Sequence, residues 1–173
     1  MSAIEVLTEL HSVLRVYCSN FSVLHWNSVG EEFNDAHKNI TTDYEDKFHD
    51  AVEPVGEYIT RLGANPLNYA ETLEFLNNSE SKYLVVSSKQ LYTRAEIIKL
   101  TQAMLCDTCR LFVKALDDEE INQTVNASIK SDLESLYNVF DLEFRYINAR
   151  RIATIATPAA QELAEEEPIV DED

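Results

Sequence analysis

Glycine and proline are scarce, three and four in 173 residues. That leaves little for the tight turns of an all-β fold and favours long helices. No apolar run is long enough for a membrane-spanning helix. The start lacks the basic stretch and apolar segment of a signal peptide, so a cytoplasmic protein is expected. Bases are also few, 14 Lys and Arg against 31 Asp and Glu, for a net charge of −17. Nucleic acid is held chiefly by neutralising phosphates with Lys and Arg, so no direct nucleic-acid binding is expected. Cysteines number three, an odd count, and nothing argues for a disulfide framework. Cys106 and Cys109 form a C-x-x-C inside a helical pattern, where buried packing is the expected role.

What is present is an ordinary globular balance, 45% hydrophobic and 26% charged, in a chain long enough to bury one core. Ile4, Leu7, His11, Leu14, Cys18, Phe21 and His25 recur every three or four residues and predict a helix from about Ala3 to Asn27. Phe33, His37, Ile40, Tyr44, Phe48, Val52, Val55, Ile59 and Leu62 predict a second helix, from about Glu32 to Leu62. Pro54 inside it is expected to bend or bulge it. Residues 67–92 read as a long connector that crosses the bundle, with one helical piece near Glu71–Asn77. Thr93 with Glu96 reads as a capping box opening a third helix to about Leu116. After the acidic corner Asp117–Glu120, a stripe of Val125, Ile129, Leu133, Leu136, Phe140, Phe144 and Ile147 predicts a fourth helix to about Ile152. Pro158 is expected to end helical order. The expected organisation is thus all-α: a four-helix bundle over residues 1–157, then an acidic tail over 158–173. That tail carries Glu162, Glu165, Glu166, Glu167, Asp171, Glu172 and Asp173 without a base. It reads as a solubilising segment, or one that docks a basic protein partner.

Two histidines frame the break between the first two helices, in His25-Trp26-Asn27-Ser28-Val29-Gly30 and on through Phe33 to His37. Neutral imidazoles ligate borderline transition metals, and Asp43, Glu45, Asp46, Asp50, Glu53 and Glu57 follow densely. The ordinary alternative is a histidine satisfied within the core, and for the acids a solvated helix face. His11 and His49 are not expected to be ligands.

The segment resembles the Dps family, the mini-ferritins. The resemblance rests on His25-Trp26, on Gly30, Phe33 and His37 at the family's spacings, and on Leu62-Gly63 closing the next helix. It implies a ferritin-like four-helix bundle with a short helix in the crossover. Such a chain assembles as a hollow homo-dodecamer that binds and oxidises iron with peroxide or oxygen. It also implies a site shared by two subunits, His25 and His37 from one, Glu53 and Glu57 from the other. Trp26 would lie nearby and intercept radicals, and Asp117–Glu120 would line iron-entry pores. Ser28 and Ala36 stand where the family has larger apolar residues, and Thr41 stands where it has an Asp or Glu. Without that bridging carboxylate, one metal is expected per site, with Asp43 or Glu45 as substitutes. Counted from His37, the Glu53/Glu57 pair lies one residue too far, which requires a π-bulge or kink, eased by Pro54. A different register would use His49, Glu53 and Glu57 as one ridge. Against the iron-oxidising reading stands a ferritin-shaped assembly protein without the chemistry, one that could be built into a larger particle such as a virion.

Overall fold

Ser2 and Glu5 cap each other reciprocally at the start of α1, Ala3–Trp26: the Ser2 hydroxyl accepts from the Glu5 amide and the Glu5 carboxylate from the Ser2 amide. The computed structural model describes residues 2–79 and 82–162, with side chains as far as Ile152. After α1 come a short strand β1 (Ser28–Val29), a π-helical segment (Asp35–Thr41), α2 (Thr42–Arg61), α3 (Tyr69–Asn78) and β2 (Tyr92–Thr93). Then follow α4 (Arg94–Leu116), a 3-10 turn (Thr124–Asn126) and α5 (Ala127–Glu162). The capping box at Thr93 and Glu96 opens α4, and a second at Asn68 and Glu71 opens α3.

The fold is a ferritin-like four-helix bundle, with α1 packed on α2 and α4 on α5. Each long helix gives an aromatic ring to its centre. Phe48 of α2 has no exposed surface and lies 5.9 Å from Tyr17 and 5.3 Å from Phe21 of α1, ring centre to centre. It meets Phe140 of α5 at 5.0 Å, and Phe140 meets Phe112 of α4 at 5.4 Å. Burying such rings is the largest favourable contribution available to a helical face.

The crossover that carries α3 is held by polar contacts. Asn20 donates to the Leu84 carbonyl and accepts from the Val86 amide, at 2.8 and 3.0 Å. Buried Glu9 accepts from the Tyr83 hydroxyl at 2.6 Å and from Lys114 at 2.8 Å. At its end β2 pairs in parallel with β1, Ser28 opposite Tyr92 and Val29 opposite Thr93. The start of α4 is therefore beside the turn between the two histidines.

Several details depart from expectation. The α2 helix continues through Pro54, and the π turn lies upstream, at Asp35–Thr41. The α5 helix runs past Pro158 to Glu162, although an interior proline removes a backbone donor and crowds the preceding turn. Residues 163–173, most of the acidic tail, lie outside the described residues. Val125 falls in the 3-10 turn ahead of α5 and is 80% exposed rather than part of the buried stripe. Cys106 is exposed and only Cys109 is half-buried, because Met104, Leu105 and Thr108 occupy the inward face of α4. All three cysteines are free thiols. Among the described residues no helix is long and apolar enough to cross a membrane.

Candidate metal centre

Gly30, at φ +103°, reverses the chain after α1 in a conformation that a side chain would strain. The reversal lays the π segment against the end of α1. His25 and His37 then stack with ring centres 3.8 Å apart and planes 30° apart, and Phe33 covers the outer face of His37 at 4.7 Å. Both histidines are half-buried.

Their hydrogen bonds are specific. The His37 Nδ1 lies 3.0 Å from the His25 carbonyl oxygen, which can only accept. Nδ1 of neutral His37 therefore carries the proton, and Nε2 keeps its lone pair. Ser28, in the place of a larger apolar residue, donates to the same carbonyl at 3.0 Å. His25 Nδ1 faces two hydroxyls, Thr41 Oγ1 at 3.2 Å and Thr42 Oγ1 at 3.3 Å. Both threonines donate to the His37 carbonyl, at 2.9 and 3.0 Å. The wide π turn explains the pair: it brings the fifth following residue over a carbonyl as well as the fourth.

Asp35 holds the segment from its other side. It accepts from Arg94 at 2.5 Å, from Asn39 at 3.0 Å and from Arg150 at 3.3 Å, tying the π segment to α4 and α5. Burial alone raises the Asp35 pKa, but the hydrogen bonds from Arg94 and Asn39 and the charges of Arg150 and Arg94 outweigh it and leave the carboxyl below its ordinary value.

The carboxylates proposed for this chemistry lie elsewhere. Glu53 and Glu57 are exposed one turn apart on α2, roughly 24–30 Å along the helix from His37 at about 1.5 Å per residue. They line a cleft of about 460 Å³ with His11, Val52, Gly56, Thr60, Arg61 and Pro66. One chain therefore brings His25 to His37, and Glu53 to Glu57, but does not bring the two pairs together. Among the described residues, no group of three or more His, Cys, Asp or Glu is placed to hold a metal. The substitutes are also accounted for. Asp43 pairs with Lys47 at 2.6 Å, and Glu45 accepts from Ser22 at 2.5 Å. His49, Glu53 and Glu57 follow one another at four-residue steps along α2; His49 lies 3.7 Å from Asp50 and lines a second cleft with Glu53.

Thr42 went unnoticed in the sequence, its contact depending on the π turn. His11, placed in the α1 stripe, is 5% exposed, and among the described residues its Nδ1 has no hydrogen-bond partner. Burial, with the charge of Arg15, lowers its pKa to about 4. Its Nε2 lies against Gly56, where an added Cβ would be 3.3 Å away. Trp26 next to His25 is 74% exposed.

As a donor set, two stacked imidazoles suit a borderline divalent cation, with metal–nitrogen bonds of about 2.0–2.1 Å. They supply no charge to balance it. The pair alone does not fit a divalent cation; a carboxylate would have to join it, and among the described residues none does.

No family model and no curated protein matches the sequence. Solved structures do match. Helicobacter cinaedi CAIP superposes with a TM-score of 0.75 at 18% identity, over 87% of this chain and 99% of that one. A Dps protein from Bacillus brevis gives 0.72 at 15% identity, over 85% and 93%. Listeria innocua Dps, in a structure soaked with cobalt, gives 0.71 at 17% identity, over 86% and 91%. At these identities the likeness is one of fold, and the fold is that of Dps and related ferritin-like proteins.

Proposed function

We propose that the chain is a Dps-like mini-ferritin subunit that binds and oxidises Fe(II) at sites shared between two copies, within a hollow dodecamer. The observation that carries this reading is the paired arrangement on one chain. His25 and His37 offer nitrogen donors, Glu53 and Glu57 offer carboxylates, and the two pairs lie apart, so each would need the other from a partner. A two-fold axis places one patch against its complement on a partner, which is the way a self-complementary interface completes two half-sites at once. Cobalt soaked into the Listeria innocua Dps crystal supports a fold that admits borderline divalent cations.

In this reading Fe(II) is the substrate. His25 and His37 bind it through Nε2. Glu53 and Glu57 of a partner neutralise it and favour the ferric product, whose higher charge they stabilise more. Each peroxide takes two electrons, or each oxygen four, from as many Fe(II) ions oxidised at separate sites; water supplies oxide, and the protons released pass to solvent. Thr41 and Thr42 bring no charge, so one metal is held per site rather than a bridged pair. An acidic exterior draws cations toward the particle. The chain acts in the cytoplasm without direct nucleic-acid binding, and the acidic tail serves solubility or a basic partner.

A second reading has one observation in its favour: among the described residues, no group of acids joins the histidine pair to hold a metal. It makes the chain a ferritin-shaped assembly protein, including one built into a larger particle such as a virion. Adding Fe(II) to metal-free protein, with peroxide or with oxygen, separates the two. Ferric absorbance should rise faster than in the His25→Ala/His37→Ala variant. Equal rates in both proteins would refute oxidation, and a small particle on size exclusion would refute the dodecamer.

A further inference from the structure

We infer that Thr41 and Thr42 act as positioning residues, a hydroxyl clamp that fixes His25 with its proton on Nδ1, so that both imidazoles of the pair present Nε2 to a cation. This rests on the metal reading above. The His37 carbonyl only accepts, and each threonine hydroxyl has a single proton to give. The two hydroxyl-to-carbonyl contacts, 2.9 and 3.0 Å, are shorter than the two hydroxyl-to-imidazole contacts, 3.2 and 3.3 Å. The protons therefore go to the carbonyl, and toward His25 both hydroxyls are acceptors. An imidazole nitrogen facing two acceptors carries the proton, and the other nitrogen keeps its lone pair.

Three features make this a built arrangement. Thr41 is fully buried, where an unpaired carboxylate would be costly and a satisfied hydroxyl is not. Both residues are β-branched, so their side chains hold few rotamers and keep the oxygens in place. The π turn is what lets two consecutive threonines reach one carbonyl. The absent acid at Thr41 is thereby replaced in its orienting role and not in its charge. Removing a group that hydrogen-bonds a ligating imidazole and fixes its tautomer typically changes metal affinity about 10–100-fold.

The test compares wild type with Thr41→Val/Thr42→Val and Thr41→Ser/Thr42→Ser. Val keeps the shape of Thr without the hydroxyl, and Ser keeps the hydroxyl. Histidine-selective nitrogen-15 NMR of metal-free protein in mildly alkaline buffer reads the tautomers directly. The expected result is Nδ1–H at His25 in wild type, loss of that uniform state in the Val pair, and its return in the Ser pair. Cobalt(II) titration should show binding about 10–100-fold weaker in the Val pair and recovered in the Ser pair. An Nε2–H His25 in wild type, or a Val pair with unchanged tautomer, would overturn the clamp. Because the tautomer is read without metal, the clamp survives if no cation binds, and the metal reading survives if cobalt binds with the tautomer unchanged.

Discussion

Glu9 offers a prediction whose size follows from the structure. Its side chain is 6% exposed, while its partner Lys114 keeps 38% in water. Burial alone raises the Glu9 pKa. The hydrogen bonds from Lys114 and Tyr83, with the charges of Lys114 and Arg110, outweigh it and leave the carboxyl below its ordinary value of about 4.5. Breaking a fully buried pair costs about 3–5 kcal/mol because the remaining charge is stranded. In Glu9→Gln the stranded group is Lys114, which water still reaches, so the cost falls to about 1–2 kcal/mol. For a chain of this length that is a Tm lower by about 2–8 °C. Lys114→Met should cost more, because it strands the buried carboxylate instead. The pH dependence has a fixed sign. A carboxyl with a depressed folded pKa adds stability above its unfolded pKa and loses it as pH falls through the folded value. The wild-type advantage over Glu9→Gln should therefore be full at neutral pH and close below about 4.5. Thermal unfolding at one fixed protein concentration measures it, since assembly also shifts Tm. A gap that widens in acid, or a Glu9→Gln variant less stable than Lys114→Met, would refute the reasoning.

Phe48→Ala should destabilise the bundle by about 3–5 kcal/mol, because its ring meets three others at the centre; urea unfolding checks this, and a loss under about 1 kcal/mol would contradict the central packing. Gly63, at φ +91° with nothing within 4 Å of an added Cβ, should tolerate Ala sterically yet lose about 1–2 kcal/mol to backbone strain alone, again read from urea unfolding. A thiol reagent in mildly alkaline buffer should label exposed Cys106 first. Cys109 should lag, because burial with nearby Asp141 and Cys106 pushes its pKa up to about 12, and mass spectrometry of the early product identifies the labelled site.

Much of the fold was legible because its signals are local. The Thr93–Glu96 cap, the stripes of α1 and α2, and Gly30 and Gly63 as chain reversals each follow from a few neighbouring residues. The short α3 was visible for the same reason. The π segment was not, although the one-residue excess between His37 and Glu53 called for some such distortion. Its location depends on tertiary fit: Ala36 and Ile40 must both face the core while Asp35 meets Arg94 and Arg150, and none of that is written in periodicity. Pro54 drew attention to the wrong turn: α2 runs through it, and the π segment lies upstream at Asp35–Thr41. At the site, His25 and His37 were legible from spacing. Thr42 was not, because its contact with His25 exists only in the π geometry. Cys106 was misjudged because a C-x-x-C shares one helix face without revealing whether that face is inward.

The shared site is tested most directly by mixing two variants that are each half-defective. One is His25→Ala/His37→Ala, which keeps the carboxylates; the other is Glu53→Gln/Glu57→Gln, which keeps the histidines. Each is purified, dissociated and reassembled alone or in equal mixture, and cobalt(II) binding is measured. Neither variant alone should bind, and the mixture should regain about a quarter of the wild-type sites, since half of its two-fold pairs are mixed and each holds one intact site of two. A mixture as silent as its components, or either variant binding alone like wild type, would contradict a metal site built from two chains.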